Sequence, residues 1–387
     1  PAGSPPSGAA PAVYDVGRLV ADLRRQLSGE VRADTASRAM YAVDASNYRV
    51  VPELVVRPRT AAELAEAAAI CSSHGAPIVV RGAGTSMAGN AVGGVVLDGS
   101  RHLNRILDLD PATKTAIVEP GVVLSHLNRA AAAHGLLFGV DPSSATRATL
   151  GGMIGNNACG ALSVAYGTTA DNVEGLSVAL ADGTLLDLAA TYTPEQQLAL
   201  RAAPGRVGAL HQGLQGLAEA QRLLIERRFS PMRRRISGYA LDQLLPENGY
   251  QLARFLCGSE GTLALTTAAT LRLVDRVDHK VLLVLGFPDS VSAAEVVPVV
   301  LPFGPLTMES INSALVDRLP EQVRAEATRA GLPVGKTWLL IDLPGDTPAA
   351  AEALGRRVEE AVRDACAGAT ATVVTDPAAQ DVLWRCR

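Results

Sequence analysis

Three glycine-rich segments concentrate the residues with chemistry to offer. The first, Arg81-Gly-Ala-Gly-Thr-Ser-Met-Ala-Gly-Asn90, follows a strand-like run. Gly82, Gly84 and Gly89 carry no Cβ, so the chain there can turn freely and aim successive N–H groups inward. Inward N–H groups in sequence form an anion-binding concavity, to which Thr85 and Ser86 add hydroxyls. A pyrophosphate needs that set of neutral donors. The second segment runs from Asp141 to Gly160, DPSSATRATLGGMIGNNACG. Gly151, Gly152, Gly155 and Gly160 permit close backbone approach, while Thr149, Asn156 and Asn157 offer uncharged hydrogen-bonding groups. Such a segment can line a flat, polar heteroaromatic ring. The third, Gly258-Ser-Glu-Gly-Thr262, presents another backbone turn to the same ligand.

Spacing excludes the two commonest phosphate loops. No Gly-Lys-Ser/Thr follows the first segment, so it is not a Walker A loop. Gly82, Gly84 and Gly89 do not space as G-x-G-x-x-G, and a strand-like VVLD follows where a long helix would be required. One glycine turn after a strand is common. Three in one mixed α/β chain point to one extended ligand. Other candidates carry less. His74, His102, His126, His134, His211 and His279 form no H-E-x-x-H pattern or carboxylate-supported cluster. Cys71, Cys159, Cys257, Cys366 and Cys386 are odd in number and contain no C-x-x-C. They therefore encode neither a disulfide framework nor an iron–sulfur or zinc site, no metal is expected in this chain, and a reducing cytoplasm fits best. Arg233–Arg235 read as a solvated basic turn, with contact to a carboxylate substrate or a partner as the alternative. Asp171 and Glu174 have no general-base role that the sequence supports.

Strands and helices must place these turns. Glu53–Arg57 reads as a strand stopped by Pro58, and Thr60-Ala-Ala-Glu63 as a capping box. Leu64, Ala67, Ala68 and Cys71 share one helical face, Gly75 ends that helix, and the strand Ile78–Val80 leads into the first glycine segment. Residues 53–80 thus form a βαβ unit. VVLD (95–98) is a strand, ILDLD and TAIVE form a hairpin, and Val123–His134 a helix. Residues 141–169 read as a long loop. LSVAL and TLLDL make a second hairpin with a two-residue turn at Asp182-Gly183. The region 191–250 is mostly helical, and 254–274 reads as two strands about a glycine turn. Beyond 280 the order is β-α-β-β-α-β: KVLLVLGF, SVSAAEVVPVV, PLTMES with the helix INSALVDRL behind it, TWLLIDL, AAAEALGRRVEEAVRDA and ATATVV. That order resembles a ferredoxin-like layer and puts a domain boundary near 275.

Composition bounds the rest. A chain of 387 residues with 48% hydrophobic content can fill two cores. A net charge of −4 and 4% aromatic residues leave neither the basic field nor the stacking platforms of a nucleic-acid binder. Residues 1–12, PAGSPPSGAAPA, contain only Pro, Ala, Gly and Ser and are expected to be a disordered tail. No secretory signal pattern and no run of 18 apolar residues occurs, so no transmembrane segment is expected. The location expected is cytoplasmic, with peripheral attachment to a membrane left open.

Taken in order, RGAGTS (81–86), DPSSATRATLGGMIGNNACG (141–160), YGTTADNVEGL (166–176) and GSEGTLALTTAATLRL (258–273) resemble the FAD-linked D-2-hydroxy acid dehydrogenases. That group includes D-lactate dehydrogenases, the D component of glycolate oxidase, and D-2-hydroxyglutarate dehydrogenase, within the vanillyl-alcohol oxidase superfamily. The likeness covers residues 40–275 most specifically. It implies an α+β fold: a PCMH-type FAD-binding domain of two α/β subdomains over 13–275, then an incomplete ferredoxin-like substrate (cap) domain over 276–387.

The resemblance also implies site residues. Arg81, Gly82, Ala83, Gly84, Thr85, Ser86, Gly89 and Asn90 correspond to the pyrophosphate loop. Pro142, Thr149, Gly151, Gly152, Gly155, Asn156 and Gly160 correspond to the segment beside the adenosine and isoalloxazine. Val173 matches the backbone contact to adenine, and Glu260 and Gly261 a late flavin contact. Thr85 stands where some superfamily members attach FAD through a His, so non-covalent FAD is expected, with Cys159 a buried structural thiol and flavin attachment through Cys159 as the alternative. Ala165 stands where the family often has Lys or Arg, which removes a charged contact. Trp384 and Arg387 fit the family's LWxxR, whose Arg grips the substrate carboxylate. The implied reaction is oxidation of a D-2-hydroxy acid of the lactate, glycolate or 2-hydroxyglutarate class, with hydride passing to flavin N5 and electrons to a quinone, an electron-transfer protein or a fused iron–sulfur module. The family places a His-rich metal segment and its catalytic base beyond the position of Arg387. The chain therefore reads as the front part of a larger protein, slow or inactive by itself. Two other readings stay open: a flavin oxidase of a sugar or alcohol, and a non-catalytic flavin-binding electron-transfer module.

Overall fold

The computed structural model describes residues 14–229, 232 and 234–387. The expected tail at 1–12, and Arg233 of the basic turn, lie outside the described residues. The chain forms two compact units. Of the described residues, one unit contains 14–138, Ser143–Ala158 and those of 169–273; the other contains Gly139–Pro142, Cys159–Thr168 and Val274–Arg387. Two short pieces around the second glycine-rich segment thus belong with the later part of the chain.

The first unit has two main sheets. Strands β1 (Glu30–Arg32), β2 (Leu54–Arg57), β3 (Ile78–Arg81) and β4 (Val95–Asp98) align in the order β1-β2-β4-β3. β4 lies between β2 and β3 and runs parallel to both. The helix Ala61–Ser73 buries Leu64, Ala67, Ala68 and Cys71, the face its spacing predicts. Together with Leu19 and Leu23 of the helix Val16–Gln26, these cover Leu54, Val56, Val95 and Leu97 of the sheet. Thr60 caps that helix through Glu63 N–H, but the expected box is only half formed. The Glu63 carboxylate accepts from the N–H groups of Arg59 and Ser28, tying the helix start to the preceding element.

The second sheet comprises β5 (Ile106–Asp110), β6 (Thr115–Val118), β8 (Val173–Ala179), β9 (Leu185–Ala189) and β10 (Leu265–Arg272), antiparallel throughout in the order β5-β6-β10-β8-β9; the two-residue strand β7 (Leu136–Leu137) lies outside it. The β8–β9 turn has three residues, not two. Gly183 N–H donates to Leu180, Leu180 N–H to Thr184, and Gly183 takes a φ of 84°. Two further expectations give way. Residues 141–169 are not one loop, because Leu150–Asn156 is helical. Three internal glycines disfavour a helix, but burial of Leu150, Met153 and Ile154 at helical spacing outweighs that local cost. Likewise, 254–274 holds one long strand, β10, preceded by the short helix Leu252–Leu256, whose Leu252, Ala253 and Phe255 are buried.

The second unit is built on β12 (Lys280–Phe287), β13 (Thr307–Asn312), β14 (Thr337–Pro344) and β15 (Thr370–Val374), after the two-residue β11 (Val274–Asp275). The order is β13-β14-β12-β15, antiparallel throughout. Helix Pro348–Ala365 covers one face through Ala351, Val358 and Val362, against Val281, Leu283, Leu285 and Ile341. The opposite face, with Leu282, Val284, Ile311 and Leu340, meets Val316, Ala327 and Leu383 from three other helices. A strand covered on both faces loses its polar alternation, which is why β12 reads as an unbroken apolar run. The helix expected at INSALVDRL shortens to Ser313–Val316, because β13 continues to Asn312, whose side chain caps it. The helix Glu321–Arg329 has no counterpart among the sequence expectations. Among the described residues, no helix is long and apolar enough to cross a membrane.

Candidate functional site

The first glycine segment leaves β3 at Arg81, where parallel pairing with β4 ends. The Arg81 side chain closes the loop on itself. Nη1 donates to the carbonyls of Tyr41 (3.3 Å) and Ala91 (2.8 Å), Nη2 to that of Val43 (2.8 Å), and the guanidinium lies 5.3 Å from the Tyr41 ring centroid. Sequence spacing groups Arg81 with the loop; the structure gives its side chain a clamping task rather than a free cationic one. Gly84, at φ 66°, turns the chain beside that guanidinium, and a Cβ there would stand 2.5 Å from Arg81 Nη2. The Gly84 carbonyl accepts from Ala45 N–H, so the loop is held while its outer side stays open. Among the described residues, the N–H groups of Gly84, Thr85, Ser86 and Met87 find no partner. Ala83, Met87, Ala88 and Asn90 are exposed, and Thr85 and Ser86 half-buried. Unpaired, accessible amides on a fixed turn are what an anionic diphosphate requires.

The second and third segments meet the first. Gly82 lies so close to Thr149 that an added Cβ would overlap Thr149 Oγ1. Thr149 is also the N-cap of the helix Leu150–Asn156, its Oγ1 accepting from Gly152 N–H at 3.3 Å. Glu260 N–H donates to the Gly155 carbonyl and Gly258 N–H to that of Ile154, both at 2.9 Å. Gly261 lies against Val80 of β3, where a Cβ would stand 3.4 Å from Val80 Cγ2. The three turns therefore close a ring of contacts. Glu260 itself adopts φ 54°, rare for a side-chain-bearing residue and a mark of a constrained site.

The expected residues do not all take the same part. Gly152 and Asn156 are exposed and available to a ligand. Gly151 instead packs on Pro120, its N–H bonded to the Pro120 carbonyl. Asn157 is buried and accepts from Ala170 N–H, so it serves the fold. Val173 is buried at the start of β8. Pro142, Gly160 and Arg387 belong to the second unit. There Gly160 abuts Asp141, whose carboxylate accepts from Leu162 N–H at 2.8 Å. Burial pushes the Asp141 carboxyl up, against that hydrogen bond and the Arg387 charge. Arg387 Nε lies 3.2 Å from Glu309 Oε2.

Sequence reasoning missed neighbours that carry no spacing signal. The Tyr48 ring lies against Gly89, and Asp44 accepts from Ser46 N–H beside the same loop. Burial alone would raise the Asp44 carboxyl, but bonds from Ser46 and Ala91 and the Arg81 charge hold it below the ordinary range. Tyr239 Oη sits 2.8 Å from Thr262 Oγ1, adjoining the third segment. A separate cavity of about 350 Å³ opens on the second sheet between Ile117, Ser177, Asp187, Tyr192 and Thr270, and no expected site residue lines it. Among the described residues, no group of three or more His, Cys, Asp or Glu could hold a metal ion.

Comparison with known proteins adds a family. Residues 52–189 match the FAD binding domain, and residues 276–387 match the C-terminal domain of FAD linked oxidases. D-2-hydroxyglutarate dehydrogenase of Pseudomonas putida is 32% identical over 338 residues, covering 83% of this chain and 33% of that protein. Glycolate oxidase subunit GlcD of Bacillus subtilis is 30% identical, covering 83% and 58%. A probable mitochondrial D-lactate dehydrogenase of Danio rerio is 31% identical, covering 72% and 47%. The chain thus spans a third to three fifths of the length of these relatives. Among solved structures, an alkyldihydroxyacetonephosphate synthase superposes with a TM-score of 0.64 at 15% identity, over 98% of this chain and 64% of that one. A substrate-bound p-cresol methylhydroxylase gives 0.61 at 16%, over 92% and 65%. At such identity the likeness speaks for the fold, which is the PCMH-type FAD-binding fold in an α+β chain. In chain order, therefore, this protein carries an FAD binding domain and the C-terminal domain of FAD linked oxidases.

Proposed function

We propose that this chain is the FAD-binding and substrate-domain portion of a dehydrogenase that oxidises a D-2-hydroxy acid of the 2-hydroxyglutarate, lactate or glycolate class. Residues 13–275 act as the flavin-binding domain and 276–387 as the substrate domain. The observation that carries the cofactor is the ring of contacts from Gly82 to Thr149, Gly155 to Glu260 and Gly261 to Val80, with unpaired amides at Gly84–Met87 beside it. The residues fit the group: a diphosphate meets neutral N–H donors and the hydroxyls of Thr85 and Ser86, with Ala83, Gly89 and Asn90 completing the turn. Gly152, Gly155 and Gly261 supply side-chain-poor surface for a ring system, with Asn156, Glu260 and the Val173 backbone as further contacts. When bound, FAD supplies a hydride acceptor. Thr85 offers no imidazole, so the cofactor is held without a covalent bond.

Substrate class rests on the names of the relatives and on Arg387, whose guanidinium suits a carboxylate. Electrons leave to a quinone, an electron-transfer protein or an iron–sulfur module. The five cysteines are thiols rather than disulfides, which suits a reducing, cytoplasmic setting. The test is anaerobic mixing of the FAD-loaded full-length protein with D-lactate, glycolate and D-2-hydroxyglutarate. At least one should bleach the flavin's visible band, and an L-enantiomer should not. No bleaching by any 2-hydroxy acid would remove the dehydrogenase reading and leave an electron-transfer module. Rapid reoxidation of reduced flavin by oxygen would favour an oxidase.

A further inference from the structure

The second unit carries an ion pair whose chemistry reaches further. Glu309 lies on β13, one residue from Met308 and two from Ile311. Side chains alternate along a strand, so Ile311, which packs in the Leu282–Leu340–Leu383 cluster, fixes the face that Glu309 shares. The helix Pro377–Trp384 lies in that cluster too. Leu383 and Cys386 are buried there at 0% and 1% exposure, and the N–H groups of Cys386 and Arg387 bond back to Leu383 and Trp384. The turn that carries Arg387 is therefore pinned to the β13 face, and its guanidinium meets Glu309 with Nε 3.2 Å from Oε2. Among the described residues the guanidinium makes no other ion pair. A guanidinium held at Nε still has its two terminal nitrogens free, and that outer edge accepts a carboxylate bidentately.

We propose that Glu309 is a positioning residue, which holds Arg387 so that its outer edge faces the carboxylate of the substrate. This rests on the functional reading above, which gives Arg387 that ligand. The side chain of Glu309 is 18% exposed and that of Arg387 37%, so Glu309 is the fixed partner and Arg387 the presented one.

The experiment uses the FAD-loaded full-length protein and two probes: a 2-hydroxy acid for turnover, and oxalate, an unreactive two-carbon dicarboxylate, titrated against the flavin's visible spectrum. E309Q should raise KM and the oxalate dissociation constant by on the order of tenfold, with kcat within about twofold, because an unheld arginine loses its preorganised fork. E309D, which keeps the charge but withdraws it by one methylene, should fall between. In an R387Q background E309Q should add no further loss. An E309Q defect of equal size with and without Arg387, or a fall in kcat at unchanged KM, overturns the inference. If E309Q does not fold, an E309D protein with wild-type constants overturns it just as well. Wild-type protein that binds neither probe overturns this inference together with the functional reading. Wild-type binding with unaltered E309Q overturns this inference alone.

Discussion

Replacing Gly82 with alanine puts a methyl group where Thr149 Oγ1 already stands. The two loops can respond in two ways. Thr149 can rotate Oγ1 away and forfeit its cap on Gly152 N–H, or the loops can separate. Losing an N-cap costs about 0.5–2 kcal/mol, and overpacking a tight contact about 1–3 kcal/mol. Taken over both routes the junction weakens by about 0.5–3 kcal/mol, which is about two- to 150-fold in an equilibrium constant. The FAD dissociation constant of G82A, measured by quenching of flavin fluorescence, should rise within that range. The decisive control is Thr149→Ala. It removes Oγ1 and Cγ2, so the nearest remaining atom to the new methyl is Thr149 Cβ at 3.3 Å, a distance that needs only a slight shift. T149A alone should lose the cap, but G82A should then cost little more. A G82A/T149A double variant whose losses simply add would refute the contact as the cause. A G82A protein with wild-type FAD affinity would refute the convergence of the loops.

Arg81→Lys keeps the charge but cannot satisfy the carbonyls of Tyr41, Val43 and Ala91 at once. It should lower stability by about 2 kcal/mol and weaken FAD, with both effects visible in a melting curve run with and without cofactor. Acid precipitation should release intact FAD into the supernatant, since Thr85 cannot form a flavin bond; yellow colour retained in the pellet would contradict this. Burial pushes the thiols of Cys71 and Cys257 up to about 12, so neither should react with a thiol reagent at pH 8 in the native protein. The sign of the linked stability follows. The unfolded chain ionises these thiols from about pH 9 upward while the folded chain does not, so their stabilisation is complete below that pH and is lost between pH 9 and 12 at about 1.4 kcal/mol per pH unit for each thiol. C71A/C257A protein with the same alkaline unfolding profile as wild type would speak against it.

Much of the fold is legible in the sequence. The helix Ala61–Ser73, the strands β2 to β4 and the β-α-β-β-α-β order of the second unit follow from periodicity, caps and stop residues acting within a few positions. The misreadings share one cause. Leu150–Asn156 is too rich in glycine to read as a helix locally, and Arg254–Cys257 too short to tell from a strand; buried partners from distant parts of the chain decide both. Glu63 reads as serving only its own helix start, yet beside Arg59 it also serves Ser28, 35 residues away. The candidate site divides the same way. The glycine segments announce themselves by composition. Tyr48, Asp44 and Tyr239, single residues in patternless stretches, do not.

The order of residues alone determined that three side-chain-poor turns exist, what kind of ligand they suit, and which strands lead into them, because turn chemistry and capping act over a few neighbouring positions. Only the tertiary structure decided that Gly82 touches Thr149, that Gly155 bonds to Glu260, that Arg81 clamps its loop, and that Gly151 and Asn157 face inward. Those choices depend on which buried groups find partners across tens of residues, and no local pattern encodes that.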